Sequence, residues 1–276
     1  MLRTLIIQHD HDGYPGALLE PVERAGEVVR WDTYTHPERP DLDGITAVLS
    51  LGGTAHPDQD GDVPWLAAEL DLLEEALDTG VPILGVCLGG QLLARAAGGS
   101  VGKVEHPEVA RFCDVGLLPE AGDDLLLAGM PRPFFGFEWH WYGFEAPPGA
   151  TLLARNGAAQ QAFRFQNRAW GFQFHIEVTA ATLAEWADAA PGTVEEFGGR
   201  ARFDKAVEQF VGQSEAAARE VAERFMVVAG VTCGMVPPDA LTTLEVRPDP
   251  VAEAAAAGVP PDVLAAMARM RDEQRY

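Results

Sequence analysis

A cysteine between two glycines is the first feature of this sequence that could do chemistry. The run PILGVCLGG (82–90) is apolar up to Val86 and closes on two glycines, so Cys87 lies where a buried strand meets a helix. The spacing Gly85-x-Cys87-x-Gly89 is that of a nucleophile elbow, in which small neighbours let the backbone bend tightly and expose the side chain. The helix that follows directs its N-terminal amides and positive dipole at the sulfur, which favours the thiolate. The alternative is a core cysteine in a glycine-rich turn.

A histidine and a glutamate two residues apart could complete this chemistry. In GFQFHIE (171–177) aromatic residues alternate with polar ones, which predicts a strand with one buried face. His175 and Glu177 would then project to the same side, about 6.5–7 Å apart at Cα, so that the carboxylate can orient the imidazole. A thiol, an imidazole base and an orienting carboxylate are the groups that nucleophilic catalysis by cysteine requires.

Backbone amides near the cysteine could stabilise a negatively charged oxygen. The amide of Leu88, directly after the elbow, is placed to receive such an oxyanion. A second amide commonly comes from a neighbouring strand end, and the strand in LSLGGT ends in Gly52-Gly53, whose backbone can approach a ligand without a Cβ. The alternative is that these glycines only form a turn.

The elements that would position these residues alternate between strands and helices. Apolar runs predict buried strands at 4–9, 27–34, 44–53 and 81–86. Helical periodicity and end signals predict helices at 16–25, 63–80, 89–97, 179–190, 215–230 and 261–273. This alternation indicates a mainly parallel sheet with helices on both faces. From about residue 109, strand-like segments leave no room for crossover helices, so we expect an antiparallel set joined to the parallel sheet.

Composition and charge exclude several classes of function. The formal net charge of −22 argues against a nucleic-acid partner, and no apolar run reaches the roughly 18–20 residues of a membrane helix. Three cysteines at irregular spacing form neither a disulfide framework nor a zinc cluster, and a reducing cytoplasm fits them best. The run HDHDG (9–13) resembles a metal motif but follows the first strand, where a polar loop is expected. We therefore predict no metal and no other cofactor.

Three motifs taken together resemble one enzyme family. PILGVCLGGQLLARAAGG resembles the nucleophile motif of the class I (triad) glutamine amidotransferase domain, FQFHIE its His-x-Glu motif and LGGT its oxyanion strand. The closest likeness is to stand-alone, GMP-synthase-like members. The resemblance covers about residues 1–190 and implies a flavodoxin-like three-layer α/β domain there, followed by a helical C-terminal extension at 191–276.

The resemblance also implies a mechanism. Cys87, His175 and Glu177 would form a catalytic triad in which Cys87 attacks the side-chain amide of glutamine. A γ-glutamyl thioester would form, ammonia would leave, and water would complete the hydrolysis. The amides of Gly53 and Leu88 would form the oxyanion hole.

Substrate-binding residues are expected around the elbow. By the same resemblance Gln91 would help to hold the glutamine. The backbone of Gly52, which can approach a ligand without a Cβ, is also expected to lie against the substrate. In EWHWYGFEA, Tyr142 stands where the family usually has Asp. His140, Trp141 and Tyr142 could therefore shape a pocket for a larger γ-glutamyl substrate, or they are ordinary sheet residues.

Three functions are open at this point. The first is a glutaminase or amidotransferase, the second a γ-glutamyl peptidase acting on γ-glutamyl peptides or conjugates, and the third a non-catalytic binding or regulatory subunit. The intact triad residues argue against the third. Released ammonia would pass to a separate synthetase subunit or a diffusible acceptor. Residues 231–276 could pack on the core, cap the active site or pair two protomers, so a homo-oligomer is open as well.

Overall fold

The computed structural model describes residues 1–157, 159–196 and 198–244, with the backbone alone at 106–109. Its strands are β1 (Leu2–Gln8), β2 (Gly26–Asp32), β3 (Ala47–Ser50), β4 (Ile83–Val86), β5 (Ser100–Asp114), β6 (Phe135–Glu145), β7 (Thr151–Asn156), β8 (Ala159–Phe165) and β9 (Ala169–Phe172). Its α-helices are α1 (Leu19–Ala25), α2 (Pro64–Thr79), α3 (Leu88–Ala96), α4 (Ala180–Ala189), α5 (Pro191–Glu196) and α6 (Arg200–Thr232). Short 3-10 helices cover Gly16–Leu18, Pro119–Asp123 and Pro238–Leu241. Within the described ranges no helix is both long and apolar enough to cross a bilayer.

The strands form one large mixed sheet and one small one. The large sheet has the order β2-β1-β3-β4-β9-β8-β7, and its first five strands pair in parallel. β8 and β7 extend it by antiparallel pairing, while β5 and β6 pair separately as a two-stranded antiparallel sheet. The predicted α/β class, a mainly parallel sheet with an added antiparallel set, is confirmed. All predicted elements up to residue 97 are present with bounds that differ by a few residues.

Helices cover both faces of the large sheet, which gives the three predicted layers. Along β1, Ile6 joins a core with residues of α1 and α6, whereas Leu5 and Ile7 join a second core with residues of α2 and α3. This division follows from the alternation of side chains along a strand. Because both faces are covered, the central strands β4 and β9 consist entirely of buried apolar residues and glycine, as expected of a parallel sheet.

The buried face of α2 differs from the predicted one. Leu66, Leu73 and Leu77 are buried as expected, but Leu70 is half-buried and Leu72 takes its place in the core. The helix ends, as predicted, at Gly80, whose φ of 81° lies in the left-handed region that favours glycine.

The strand predicted for GFQFHIE is shorter than expected and buried on both sides. Regular pairing in β9 ends at Phe172, and His175 makes only an isolated antiparallel bridge to Phe137 of β6. The segment from Gln173 to Glu177 is buried throughout. The prediction of one exposed face is therefore wrong, because β6 and the sheet cover the segment from two sides.

The described part of the C-terminal region consists mainly of α6, which has 33 residues and is longer than the helix predicted at 215–230. Its first half packs Phe203 and Phe210 on aromatic residues of β5 and β6. Its second half, from Ala217 to Ala229, lies in the main core. The domain boundary at residue 190 stays a prediction, and the helix predicted at 261–273 lies outside the described residues.

Candidate active site

Cys87 lies at a sharp bend between β4 and α3. Its φ of 51° and ψ of −107° are unusual for a non-glycine residue and store about 1–3 kcal/mol of strain. Two hydrogen bonds hold the bend: the Cys87 amide donates to the Phe172 carbonyl at 2.7 Å, and the Gln91 amide donates to the Cys87 carbonyl at 2.9 Å. The conformation is that of the predicted elbow.

The two glycines flanking Cys87 are required by close backbone contacts. A Cβ on Gly85 would lie 2.5 Å from the carbonyl oxygen of Gly89. A Cβ on Gly89 would lie 2.6 Å from the carbonyl carbon of Ser50 and would overlap its oxygen. The sequence spacing therefore has the steric cause that was inferred for it.

His175 connects Cys87 to Glu177. Its Nδ1 lies 2.6 Å from Oε1 of Glu177, which leaves Nε2 available to the Cys87 side chain, and the interaction with this side chain contributes to the pKa of His175. All three residues are buried. Burial lowers the pKa of His175, but the Glu177 carboxylate and the Cys87 side chain raise it more, so this pKa lies well above the ordinary 6.5. The arrangement favours an imidazolium beside the sulfur, which is the environment that stabilises a thiolate.

Contacts from other elements fix the imidazole of His175. Its backbone amide donates to the Phe137 carbonyl at 2.7 Å, and the Phe137 amide donates back to the His175 carbonyl at 3.2 Å. The ring meets Trp186 of α4 edge-on, with centroids 5.1 Å apart. The ring therefore has little freedom to turn away from Cys87.

The Gly52-Gly53 turn follows β3 and lies directly against the elbow. A Cβ on Gly52 would be 2.7 Å from Cε1 of His175 and 3.5 Å from Cβ of Cys87, and one on Gly53 would be 3.0 Å from Cδ2 of Leu88. The structure thus brings the predicted oxyanion-hole and turn positions together at Cys87. Their role in binding an oxyanion stays a prediction.

Two glutamine side chains link the sulfur to the neighbouring strand. Gln91 donates from Nε2 to the Tyr142 carbonyl at 2.9 Å and to Oε1 of Gln173 at 3.1 Å. Gln173 in turn directs its Nε2 to the sulfur of Cys87 at 3.8 Å. Gln173 was not among the predicted site residues, although its polar side chain within an apolar segment was a signal. The amide of Gln91 already has two protein acceptors, and its role toward glutamine stays a prediction.

A cavity of about 630 Å³ opens above these groups. Its aromatic wall consists of Trp139, Trp141, Tyr142 and Trp186. His140 also lines the cavity and is buried, with Nδ1 2.9 Å from the Tyr142 carbonyl, whereas Trp141 is 48% exposed. The predicted substrate-binding residues therefore border one cavity. Its carboxylates come from Asp10, Asp12 and Glu177, and among the described lining residues none is Lys or Arg.

A buried histidine–glutamate pair below the Gly52-Gly53 turn was not predicted. His9 begins the HDHDG segment, which forms a loop as expected, but its side chain is buried, with Nε2 2.6 Å from Oε2 of the buried Glu69 in α2. Burial lowers the pKa of His9 and Glu69 raises it more, so the net shift is upward. The available signal was Glu69 itself, a charged residue three positions after Leu66 on the apolar face of α2.

Comparison with known proteins agrees with this geometry. Residues 13–185 match the family model described as glutamine amidotransferase class-I. The chain belongs to the class I glutamine amidotransferase family. The crystal structure of a glutamine amidotransferase from Thermotoga maritima superposes with a TM-score of 0.73 at 27% identity, covering 82% of this chain and 98% of that one. This likeness supports the flavodoxin-like fold.

The matches to curated relatives cover different shares of the relatives' own lengths. The glutamine amidotransferase-like protein YfeJ of Salmonella typhimurium is 28% identical over 66% of this chain and 78% of its own length. A glutamine-hydrolysing GMP synthase subunit of Thermococcus kodakarensis is 37% identical over 39% of this chain and 56% of its own length. The match to the GMP synthase of Thermomicrobium roseum spans 20% of that protein.

Proposed function

We propose that the protein hydrolyses the γ-amide of glutamine through a thioester on Cys87. The observation that carries this proposal is the continuous contact from Glu177 through His175 to Cys87 at a strained elbow. Membership of the class I glutamine amidotransferase family supports the same chemistry. The cysteine thiolate supplies the nucleophile, His175 acts first as the acid and then as the base, and the Glu177 carboxylate orients the imidazole.

In the proposed reaction the Cys87 sulfur attacks the γ-carbonyl carbon and a C–S bond forms. The carbonyl oxygen becomes an oxyanion, which the amides of Gly53 and Leu88 stabilise. His175 donates its Nε2 proton to the amide nitrogen, the C–N bond breaks, and ammonia leaves. His175 then accepts a proton from water, the hydroxide attacks the thioester, the C–S bond breaks and glutamate is released.

A substrate screen of three proteins tests this proposal. Wild type should release ammonia from glutamine, whereas Cys87→Ala should lose about 10⁴-fold or more of kcat/KM, as expected when a triad nucleophile is removed. Cys233→Ser, which changes an exposed cysteine at the end of α6, is the matched control and should keep full activity. Wild type that neither turns over a γ-glutamyl compound nor is alkylated at Cys87 by a glutamine chloroketone would instead indicate a non-catalytic binding protein.

The size and lining of the cavity favour a second candidate, a γ-glutamyl peptidase. A cavity of about 630 Å³ lies within the roughly 300–1,000 Å³ range of sites for drug-sized ligands and is larger than a single amino acid needs. The faces of Trp139 and Trp141 suit an apolar or cationic leaving group on the γ-glutamyl unit. Glutamine and a γ-glutamyl anilide compared at equal concentration separate the candidates, because a peptidase should have the higher kcat/KM for the anilide.

If the protein is an amidotransferase, we propose that the ammonia passes to a separate synthetase. The similarity to a protein named as a GMP synthase subunit supports a partner of this kind. Such a partner would dock at the mouth of the cavity beside Trp141, where the path for ammonia is shortest. Turnover of glutamine at a full rate by the protein alone would argue against a synthetase partner. Failure of any synthetase to co-purify with the protein would argue against it as well.

A further inference from the structure

The buried His9 contacts the peptide bond that would supply one amide of the oxyanion hole. Its Nδ1 lies 3.1 Å from the carbonyl oxygen of Gly52, and its Nε2 lies 2.6 Å from Oε2 of Glu69. The other carboxylate oxygen of Glu69 accepts from the Ser50 hydroxyl at 2.5 Å. Trp65 stacks on the ring at a centroid distance of 4.9 Å. The imidazole is therefore held at both nitrogens and on one face.

The partners of His9 determine which nitrogen carries a proton. A carbonyl oxygen can only accept, so Nδ1 must donate to Gly52. This is true for an imidazolium beside a carboxylate and equally for a neutral imidazole beside a protonated Glu69, because only the proton at Nε2 differs. The carbonyl of Gly52 thus has a fixed donor whose position is set from α2.

Because the peptide unit is planar, holding the Gly52 carbonyl also sets the direction of the Gly53 amide. The carbonyl of Gly52 and the amide of Gly53 belong to one planar trans unit, in which the two groups point in opposite directions. Because His9 holds the carbonyl, the amide of Gly53 is directed away from His9. Both glycines line the cavity together with Cys87 and His175.

We propose that His9 is a positioning residue for the oxyanion hole, which it serves by orienting the Gly52–Gly53 peptide. This inference rests on the proposed function. Two adjacent glycines leave the peptide free to rotate unless something holds it. A hydrogen bond to the carbonyl also polarises the peptide and makes the Gly53 amide a stronger donor. Without His9 the second oxyanion donor would be lost for part of the time.

A pair of substitutions separates the two hydrogen bonds of His9. The amide nitrogen of asparagine lies near the position of Nδ1, so His9→Asn keeps a donor for the Gly52 carbonyl. The amide of glutamine reaches the position of Nε2, so His9→Gln keeps the contact with Glu69 and gives up the one with Gly52. His9→Gln should lower kcat for glutamine or a γ-glutamyl anilide by about 10- to 100-fold with KM nearly unchanged, since a lost oxyanion donor costs about 10²–10³. His9→Asn should recover most of that loss.

Two further measurements distinguish positioning from general damage. Alkylation of Cys87 by iodoacetamide passes through no oxyanion. Its rate in His9→Gln and in His9→Asn should therefore equal the wild-type rate. The ¹H–¹⁵N signal of the Gly53 amide should move in His9→Gln and return toward the wild-type position in His9→Asn. Glu69→Gln provides a second test if a His9 variant does not fold. Its side-chain amide donates to Nε2 and keeps the proton on Nδ1, so the Gly53 signal should stay in place.

The outcomes are separable from those of the proposed function. If wild type turns over no γ-glutamyl substrate, the proposed function fails, and the Gly53 signal still decides whether His9 orients the peptide. Equal loss of kcat in His9→Gln and His9→Asn, or a Gly53 signal that ignores His9→Gln, would overturn the inference. A shift of the signal in Glu69→Gln as large as that in His9→Gln would do the same.

Discussion

The substitution Gly89→Ala tests the elbow directly because the new methyl group would meet backbone atoms. Its Cβ would lie 2.6 Å from the carbonyl carbon of Ser50, whereas non-bonded carbons pack at about 3.5–4.0 Å. Ser50 lies in β3, which is hydrogen-bonded to β1 on one side and to β4 on the other, so its backbone cannot easily move. The first turn of α3 must therefore move instead, by roughly 1 Å. Cys87 precedes that turn directly and must move with it.

The size of the effect follows from this displacement. Overpacking of a core costs about 1–3 kcal/mol, which in a domain of this size lowers Tm by about 2–4 °C for each kcal/mol. A displacement of about 1 Å at the reacting group lowers activity by about 10²-fold. Gly212→Ala is the matched control, because its Cβ would meet no atom within 4 Å on the exposed face of α6. The control should gain up to about 1 kcal/mol, since alanine is the better helix former.

Thermal unfolding and the rate of Cys87 alkylation measure both effects without any assumption about the substrate. The expected result is a lower Tm and slower alkylation for Gly89→Ala, beside an unchanged alkylation rate for Gly212→Ala. If Gly89→Ala unfolds at the wild-type temperature and reacts at the wild-type rate, the contact with Ser50 does not constrain the elbow and the steric reasoning is refuted.

Three further predictions concern buried charged groups. Glu177→Gln removes a carboxylate that raises the pKa of His175, so the ring signals of His175 should titrate at lower pH in NMR. An unchanged midpoint would show that Glu177 does not raise this pKa. The pKa of His175 is higher in the folded than in the unfolded protein, where it is about 6.5, so its stabilising contribution is complete below that pH and is lost as the pH rises through the folded value. The excess stability of wild type over His175→Asn in urea unfolding should therefore shrink in alkaline solution, and a constant excess would speak against the ion pair. Asp124→Asn should destabilise by about 3–5 kcal/mol, because the buried Asp124 carboxylate accepts from the guanidinium of Arg164 and from two backbone amides. The exposed Asp123→Asn serves as its control, and equal urea midpoints for the two would rule out this role.

Local features of the site could be predicted from the sequence, whereas contacts between distant segments could not. The elbow is encoded within five residues, since Gly85 and Gly89 are needed by the bend at Cys87 itself. His175 and Glu177 were placed together by their spacing, although they meet beyond the regular end of β9 and not within a strand. The proximity of Cys87 and His175 depends on how β4 and β9 pair; the residue types suggested only that the two could act together, and the family resemblance supplied the triad.

The contacts that were missed have long sequence separations or lie inside helices. Glu69 reaches His9 across 60 residues, and no periodicity links a helix position to a particular loop residue. In α2, Leu70 and Leu72 are equally apolar, and only the rotation of the helix against the sheet decides which of them is buried. The first half of α6 lacks a clean apolar stripe of its own and becomes helical where Phe203 and Phe210 meet the aromatic residues of β5 and β6.

The length of α6 has a mechanical consequence for substrate selection. This helix is about 50 Å long at 1.5 Å per residue, and it contacts the small sheet at one end and the main core at the other. β6, which carries Trp139 and Tyr142, is therefore braced against the same scaffold that holds Cys87. Because α6 packs on both β6 and the main core, we expect the size of the aromatic side chains on β6, and not movement of this strand, to set the width of the cavity entrance.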